Sequence, residues 1–301
     1  MAGDHDLITA TRAQLDLMDQ RAVHAFMQAK RPDMVIIAAA KVGGILANRD
    51  HPAAFIHDNI MIASNVIHEA HMAGVDRLLQ LGSSCIYPRD AAQPICETAL
   101  LTGPLEPTNA PYAVAKIAAI TLCESYNRQY GRDYRSLMPT NLYGPGDNFH
   151  PQNAHVLPGL IQRFHAAARA GADNVSIWGT GTPRREFLHV DDLADAALFV
   201  MSLDQKAFAQ ATHHMPGLVN VGTGTDLPII DLAQMIADLA GFKGTISTDP
   251  SKPDGTPRKC LDTRLMRDMG WTAKISLAKG LAQTYEWYLA QIEAGQNLRA
   301  S

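Results

Sequence analysis

The chain has 301 residues, a length sufficient for one large domain or two modest ones. Of these residues, 47% are hydrophobic and 19% are charged, as is ordinary for a globular protein. Its formal net charge of −4 gives no general reason to expect a nucleic acid or an anionic membrane as partner. No apolar run approaches the roughly 18 residues of a membrane span, and the N-terminus lacks the layout of a signal peptide. The four cysteines form no CxxC pair and no metal-ligand spacing, so we expect a cytoplasmic protein without a metal.

The first two-thirds of the chain alternate apolar runs with amphipathic stretches, a pattern typical of repeated βα units. Residues 34–40 form a continuous apolar run and predict a strand buried on both faces. Residues 19–30 have helical periodicity, with Asp19 as a candidate N-cap. The other predicted elements are a strand over 6–10, a helix over 52–72, a strand over 77–84, a helix over 111–130 and a strand over 135–142. We therefore predict an α/β fold with a Rossmann-like, doubly wound parallel sheet.

The pattern changes beyond Gly146, where apolar runs become shorter and turn signals denser. We expect residues 1–146 to form the Rossmann-like domain. Residues 147–301 are expected to form a smaller, mixed α/β substrate-binding region that returns some elements to the main sheet.

The start of the chain departs from the pattern of a doubly wound dinucleotide fold. Such a fold opens with a strand, a glycine-rich turn and a helix that holds the pyrophosphate. Gly3 is the only glycine before Gly43, and residues 6–10 have the pattern expected of the second strand. We therefore expect the first strand and the glycine-rich loop, roughly thirty residues, to be missing from this polypeptide. A misplaced start codon or a truncation is the simplest explanation.

A candidate catalytic set combines a helix with the end of a strand. Tyr112 and Lys116 are four residues apart, so they share one face of the helix predicted over 111–130. A nearby ammonium favours phenolate, so we expect a lowered pKa and a proton donor or acceptor at Tyr112. Ser83 follows the apolar strand upstream, at the sheet edge where open α/β folds bind ligands. YxxxK alone is common by chance, but with Ser83 it matches the Ser–Tyr–Lys set of short-chain dehydrogenases/reductases.

Longer motifs occur in a consistent order along the chain. They are AAAKVGGI at 38–45, LGSSCIYP at 81–88, EPTNAPYAVAKIA at 106–118, PTNLYGP at 139–145, DNFHP at 147–151, REFLHVDD at 185–192 and KPDGTPRK at 252–259. Together they resemble the GDP-L-fucose synthase family of extended short-chain dehydrogenases/reductases, over nearly the whole chain from Thr11 onward. The segment at 260–264 is one residue shorter than the form expected in that family, which we expect to alter a surface loop only.

The resemblance implies a reaction and a set of site residues. The family converts GDP-4-keto-6-deoxy-D-mannose to GDP-L-fucose by epimerising C3 and C5 and then reducing the C4 ketone with NADPH. By resemblance, Cys85 is the epimerisation base, His155 its acid, and Ser83, Tyr112 and Lys116 the reduction set. Arg12 resembles a contact to the cofactor 2′-phosphate, which favours NADPH over NADH. The other cofactor-lining positions match Asp16, Leu17, Ala38, Ala39, Leu81, Gly82, Ser83, Ser84, Lys116, Pro139, Thr140, Asn141, Leu142 and His155. The GDP-sugar contacts match Arg163, Trp178, Arg185 and Lys259.

The resemblance also implies a homodimer, because the family pairs the helices predicted here over 52–72 and 111–130. Two alternatives stay open at this point. One is another nucleotide-sugar epimerase, dehydratase or reductase on the same scaffold, which would not need both Cys85 and His155. The other is a truncated, non-catalytic remnant that binds a GDP-sugar but not NADPH, since the cradle for the pyrophosphate belongs to the missing unit.

Overall fold

The computed structural model describes residues 6–150, 154–215, 217–252, 254–296 and 298. Three residues that took part in the sequence predictions, Gly3, Pro151 and Pro253, lie outside these ranges. The helices and strands, in chain order, are α1 (Gln20–Lys30), β1 (Met34–Ile37), α2 (Ile45–Asp50), α3 (Pro52–Met72), β2 (Arg77–Leu81), α4 (Ala110–Tyr130), β3 (Asp133–Pro139), β4 (Asn141–Tyr143), α5 (Val156–Ala170), β5 (Asn174–Trp178), β6 (Arg184–His189), α6 (Val190–Ser202), α7 (Gln205–Ala211), β7 (Leu218–Val221), β8 (Asp226–Pro228), α8 (Ile229–Ala240), β9 (Thr245–Asp249), β10 (Arg258–Lys259), α9 (Arg264–Met269) and α10 (Leu277–Glu293).

The main sheet is parallel and has the strand order β1-β2-β3-β7. Ile37 pairs with Gln80, Leu81 with Leu137, and Pro139 with Val221, so the strands end at one common edge. Helices cover both faces of this sheet. One buried cluster joins β1 and β2 to α1, α3 and α4, and another joins β2, β3 and β7 to α6, α7 and α9. The predicted doubly wound parallel fold is confirmed.

Local chemistry explains where the helices of this layer begin and end. The Asp19 carboxylate accepts hydrogen bonds from the backbone N–H groups of Arg21 and Ala22, as predicted for the N-cap of α1. Helix α4 ends at Gly131, which adopts the left-handed conformation with φ of 70° that glycine reaches without strain. No helix of the described ranges is long and apolar enough to cross a membrane.

The second half of the chain builds smaller sheets against the first. Strands β10, β6 and β4 form a parallel sheet, and β8 pairs with β6 in the antiparallel direction. Strands β5 and β9 form a separate, parallel pair. A third core cluster packs α5, α8 and α10 around Phe149, Phe164 and Leu232. Strand β7 lies in the main sheet although it comes from the second half. The division of the chain at 146/147 stays a prediction.

Four strand predictions need correction. Residues 6–10 form no strand, and Leu7 is 81% exposed, because no described strand lies beside this segment to complete a ladder. The run at 34–40 is a strand only as far as Ile37. The strand predicted over 135–142 is two strands, β3 and β4, which separate at Thr140 and enter different sheets. Strand β2 ends at Leu81 because Ser84–Ile86 turns into a short 3₁₀ helix.

Candidate active site

The end of β2 presents a serine and a cysteine at the edge of the sheet. The N–H of Gly82 donates to the carbonyl of Leu137, which holds this segment against β3. The Ser83 hydroxyl then accepts a hydrogen bond from the N–H of Cys85 at 3.3 Å and caps the 3₁₀ turn. Ser83 and Cys85 are therefore fixed two residues apart on one tight turn, and both side chains are half-buried.

The start of α4 is held by a carboxylate that sequence reasoning did not assign a role. Glu106 accepts hydrogen bonds from the Thr108 hydroxyl at 2.6 Å and from the backbone and side-chain nitrogens of Asn109 at 3.0 and 2.9 Å. Burial favours a raised pKa for Glu106, but these hydrogen bonds outweigh it and the pKa is lowered. The ionised Glu106 thus anchors the first turn of the helix that carries Tyr112. The sequence signal that could have pointed to this role is the position of Glu106 at the start of the EPTNAPYAVAK motif, which also contains Tyr112 and Lys116.

Lys116 lies one helical turn after Tyr112 and is 6% exposed. Its ammonium donates to the carbonyl of Leu81 at 2.8 Å and lies 5.8 Å from the centroid of the Tyr112 ring. Burial lowers the pKa of Lys116 to about 8. The predicted common face of the two residues is confirmed, and Lys116 ties α4 to the end of β2.

The expected effect of Lys116 on Tyr112 was wrong. Burial raises the pKa of the Tyr112 phenol, the nearby Cys85 raises it further, and a hydrogen bond with Ser83 opposes the rise. Desolvation outweighs the neighbouring cation because the Lys116 ammonium is directed at a carbonyl rather than at the phenol oxygen. Tyr112 is therefore a phenol that keeps its proton and faces Ser83, which suits a proton donor.

Two cations from the smaller sheet approach Cys85. The Lys259 ammonium lies 3.7 Å from the Cys85 sulfur. Arg185, on β6, is half-buried; burial lowers its pKa, while Cys85 and Asp254 oppose that shift. Cys85, Lys259 and Arg185, which are far apart in the sequence, thus meet at one place with the Ser83–Tyr112–Lys116 set.

A buried carboxylate holds this part of the smaller sheet in place. Glu186 is fully buried, and its oxygens accept from the N–H groups of Thr223, Gly224 and Leu261 at 2.6, 2.7 and 2.8 Å. Burial raises the pKa of Glu186, and these hydrogen bonds oppose the rise. The contact to Leu261 fixes the segment directly after Lys259. The sequence offered no local signal for this role, because its partners come from distant loops.

The segments predicted to line a cofactor follow neighbouring strands. Ala38 and Ala39 follow β1 and are exposed, while Pro139 closes β3. The remaining predicted positions of this edge are Leu81, Gly82, Ser83, Ser84, Thr140, Asn141 and Leu142. Thr140 and Asn141 both donate to the carbonyl of Glu186, at 3.2 and 2.8 Å, so they also join the two sheets.

Other predicted residues are not brought into direct contact with this cluster. Arg12 and Asp16 are exposed on the segment before α1, and the Leu17 carbonyl accepts from Asn65 at 2.9 Å. His155 is the exposed N-cap residue of α5. Burial raises the pKa of the neighbouring Asp147, and both the N–H of Asn148 and the charge of His155 oppose that shift.

The remaining two predicted substrate contacts lie on α5 and β5. Arg163 donates to the carbonyl of Ser176 at 2.8 Å, and burial lowers its pKa. Trp178 ends β5 and is 49% exposed, which is unusual for so large an aromatic side chain. Both therefore lie beside the strand pair β5 and β9.

Comparisons with known proteins agree with this fold. The profile of the NAD dependent epimerase/dehydratase family matches residues 2–222. The chain is 58% identical over 287 residues to GDP-L-fucose synthase of Escherichia coli (strain K12), a match that covers 95% of this chain and 89% of that protein. The chain therefore belongs to the NAD dependent epimerase/dehydratase family. Within it, the chain groups with the GDP-L-fucose synthases.

Solved structures extend the likeness to three dimensions. A GDP-6-OMe-4-keto-L-xylo-heptose reductase from C. jejuni is 35% identical, with a TM-score of 0.90 over 95% of this chain and 91% of that one. A GDP-D-glycero-L-gluco-heptose synthase from Campylobacter jejuni, solved in the presence of NADPH, is 34% identical, with a TM-score of 0.88 over 94% and 91%. Both relatives act on GDP-linked sugars, according to their names.

Proposed function

We propose that the protein converts GDP-4-keto-6-deoxy-D-mannose to GDP-L-fucose, epimerising C3 and C5 and reducing the C4 ketone with NADPH. The single observation that carries the proposal is the meeting of Cys85 with Ser83, Tyr112 and Lys116 at one strand end. A set for carbonyl reduction and a thiol base are thereby combined at one site. The 58% identity to a GDP-L-fucose synthase supports the choice of substrate.

The epimerisation chemistry follows from the acidity of protons next to a ketone. The C4 carbonyl acidifies the C–H bonds at C3 and C5, so a base on one face and an acid on the other can invert each centre. We assign Cys85 as the base, because its sulfur is half-buried beside the Ser83 turn. We assign His155 as the acid, and its exposed position at the start of α5 leaves both ring nitrogens free of a capping bond.

For the reduction, we assign Tyr112 as the donor of a proton to the C4 oxygen and Ser83 as a hydrogen-bonding partner of that oxygen. Burial keeps the Tyr112 phenol protonated, which is the form a donor needs. Lys116 holds the helix to the strand end through the Leu81 carbonyl. Its buried ammonium also places positive charge beside the ring of Tyr112, where a developing phenolate is stabilised.

The residues present fit a nicotinamide cofactor along the carboxyl edge of the sheet. The small, exposed Ala38 and Ala39 leave room beside β1, and Lys116 offers a buried ammonium for a ribose hydroxyl. We propose that these residues, with segments 81–84 and 139–142, line the site, and that Arg12 contacts a 2′-phosphate. When bound, NADPH supplies the hydride that reduces the ketone carbon. We place the reaction in the cytoplasm, where thiols such as Cys85 stay reduced.

We assign the substrate's GDP moiety to Arg163, Trp178, Arg185 and Lys259. Arg185 and Lys259 lie next to Cys85 and supply cations for the diphosphate, while the exposed ring of Trp178 supplies an aromatic wall.

We also propose that two copies pair through α3 and α4. Met72 and Val114 on these helices are 54% and 43% exposed, so each helix offers apolar surface for such a contact. Val114→Lys should then yield a monomer in sedimentation velocity.

Substrate-dependent oxidation of NADPH, followed by its absorbance, tests the proposed function. The protein is prepared with any residues that its gene encodes ahead of Met1. We expect oxidation with GDP-4-keto-6-deoxy-D-mannose, and a product that co-elutes with GDP-L-fucose. Oxidation that yields a C4-reduced sugar with unchanged C3 and C5 would instead support a simple reductase, the activity for which one structural relative is named.

A further inference from the structure

The two cations next to Cys85 are paired by the register of the smaller sheet. Strands β10 and β6 run parallel, with Lys259 opposite Arg185 and Arg258 opposite Arg184. Because side chains alternate along a strand and paired residues share a face, Lys259 and Arg185 lie on one face of this strand pair. Arg258 and Arg184 lie on the other. The pair of strands thus presents two cations on each side.

The two faces differ in how this charge is neutralised. On the face of Arg184 and Arg258, the carboxylate of Asp226 accepts a hydrogen bond from each guanidinium, and its side chain is only 4% exposed. On the other face, no described carboxylate lies within ion-pair distance of Lys259 or Arg185. Asp254 acts on Arg185 from farther away, and its oxygens already accept from the N–H and hydroxyl of Thr180.

On this face, the sulfur of Cys85 takes the place of a carboxylate as the partner of Lys259. It lies 3.7 Å from the Lys259 ammonium, within hydrogen-bonding range for sulfur. Burial lowers the pKa of Arg185, and Cys85 opposes that shift, so the charge of Arg185 also acts on this sulfur. The Ser83-capped turn fixes the Cys85 backbone, so this approach does not depend on a mobile loop.

We propose that Lys259 is the charge partner of Cys85: its ammonium, with Arg185 as a second cation, stabilises the thiolate form of the sulfur, which accepts a proton from carbon. This role rests on the proposed function and adds to the diphosphate contact assigned to Lys259. A cation in hydrogen-bonding range favours the thiolate, which is the reactive form of cysteine. The thiolate takes the proton next to the C4 ketone, forming an S–H bond and an enolate. Lys259 neither gives nor takes a proton in this step, and the S–H proton is later lost to solvent.

The two roles of Lys259 are separable, because a thiolate partner acts even when nothing is bound. Alkylation of the free protein by iodoacetamide measures the reactivity of each cysteine, and peptide mass spectrometry resolves the sites. Cys96 serves as the reference in the same sample, since it is half-buried like Cys85 and its sulfur contacts the Thr98 hydroxyl rather than an ammonium. Cys123 and Cys260 are buried and report unfolding when they become labelled.

The variants are Lys259→Met, Lys259→Arg and, as a control, Lys243→Met at an exposed lysine. At fixed near-neutral pH we expect Lys259→Met to slow alkylation of Cys85 about tenfold relative to Cys96. Lys259→Arg should restore most of the rate, because it keeps the charge, and Lys243→Met should change nothing. In turnover, Lys259→Met should lower kcat for exchange of substrate protons with D₂O, as well as raising KM.

An unchanged ratio of Cys85 to Cys96 labelling in Lys259→Met, with Cys123 still protected, would overturn the proposal and leave Lys259 as a diphosphate contact only. If Lys259→Met unfolds, which labelling of Cys123 reveals, Lys259→Gln takes its place with the same expected result. The labelling needs neither substrate nor cofactor, so its outcome does not depend on whether the proposed reaction is correct.

Discussion

The Lys116 ammonium donates a hydrogen bond to the Leu81 carbonyl at 2.8 Å and so joins the helix of Tyr112 to the strand end of Ser83. This contact is made inside the protein, where Lys116 is 6% exposed. A buried ammonium costs stability unless it is well partnered, and here one carbonyl is its hydrogen-bond partner among the described residues. The buried ammonium that joins α4 to the end of β2 therefore lowers the stability of the folded protein, by an amount that depends on the protonation of Lys116 and so on pH.

Lys116→Met should change that dependence. The folded-state pKa is lowered from 10.5 to about 8, so the folded state disfavours the charged lysine. Below about pH 8 Lys116 is charged in both states, so the full cost of burying its charge lowers the free energy of unfolding. Between about pH 8 and 10.5 the folded state loses the proton while the unfolded chain keeps it, and this cost fades as the pH rises. Its size is about 3 kcal/mol.

Urea denaturation at pH 7 and at pH 10 measures this effect. Lys116→Met should gain stability relative to the parent protein at pH 7, and the gain should shrink at pH 10. The exposed Lys243→Met is the matched control and should show no such trend. A difference between Lys116→Met and the parent that is the same at both pH values would rule out the proposed cost.

Tyr112→Phe tests the assignment of the reduction step. The substitution removes the phenol that burial keeps protonated, while the ring and its packing stay in place. We expect NADPH-dependent turnover to fall about 10²-fold or more, as for the loss of a positioned proton donor. The affinity for GDP, measured by calorimetry, should barely change. A variant with the parent kcat would show that Tyr112 does not donate the proton.

Cys85→Ser separates epimerisation from reduction. We expect it to abolish exchange of the substrate C3 and C5 protons with D₂O, followed by NMR, while NADPH still binds. His155→Gln should impair inversion yet allow exchange with retention, because the base on the other face is intact. Rapid exchange at both carbons in Cys85→Ser would refute the assignment of the base.

Two helix glycines offer a matched test of packing near the smaller sheet. A Cβ added at Gly280 on α10 would lie 2.8 Å from Cζ of the buried Tyr143 and 2.9 Å from Cδ2 of His189. At Gly159 on α5 the nearest atom, the Ala154 Cβ, is 3.9 Å away. We expect Gly280→Ala to cost about 1–3 kcal/mol through overpacking. Gly159→Ala should gain up to about 1 kcal/mol from helix propensity. Thermal unfolding of both variants checks this, and a loss of equal size at both sites would contradict it.

Local patterns predicted the main sheet and the grouping of Ser83, Tyr112 and Lys116, because the physical determinants of both are local. Helical spacing alone places Tyr112 and Lys116 on one face, and the carboxyl-edge rule places Ser83 beside them. The strand expected at 6–10 was wrong because a strand-like sequence does not supply a neighbouring strand with which to pair. The lowered pKa expected for Tyr112 was wrong because burial cannot be read from a four-residue spacing.

Contacts across the smaller sheet were beyond the reach of sequence patterns. The pairing of Lys259 with Arg185 depends on the register of two strands that are distant in the chain. The buried Glu186 draws its partners from two separate loops, at Thr223–Gly224 and at Leu261. Family resemblance pointed to Lys259 and Arg185 as residues of the site, but only the fold places them against Cys85.

The most direct test of the proposed reaction is the isotope pattern of its product. The protein, prepared with any residues encoded ahead of Met1, is incubated in D₂O with NADPH and GDP-4-keto-6-deoxy-D-mannose, and the sugar is analysed by NMR. Our account predicts GDP-L-fucose with deuterium at C3 and C5 and protium at C4, because solvent supplies the first two positions and the cofactor the third. A reduced sugar that keeps the D-manno configuration and protium at C3 and C5 would contradict it.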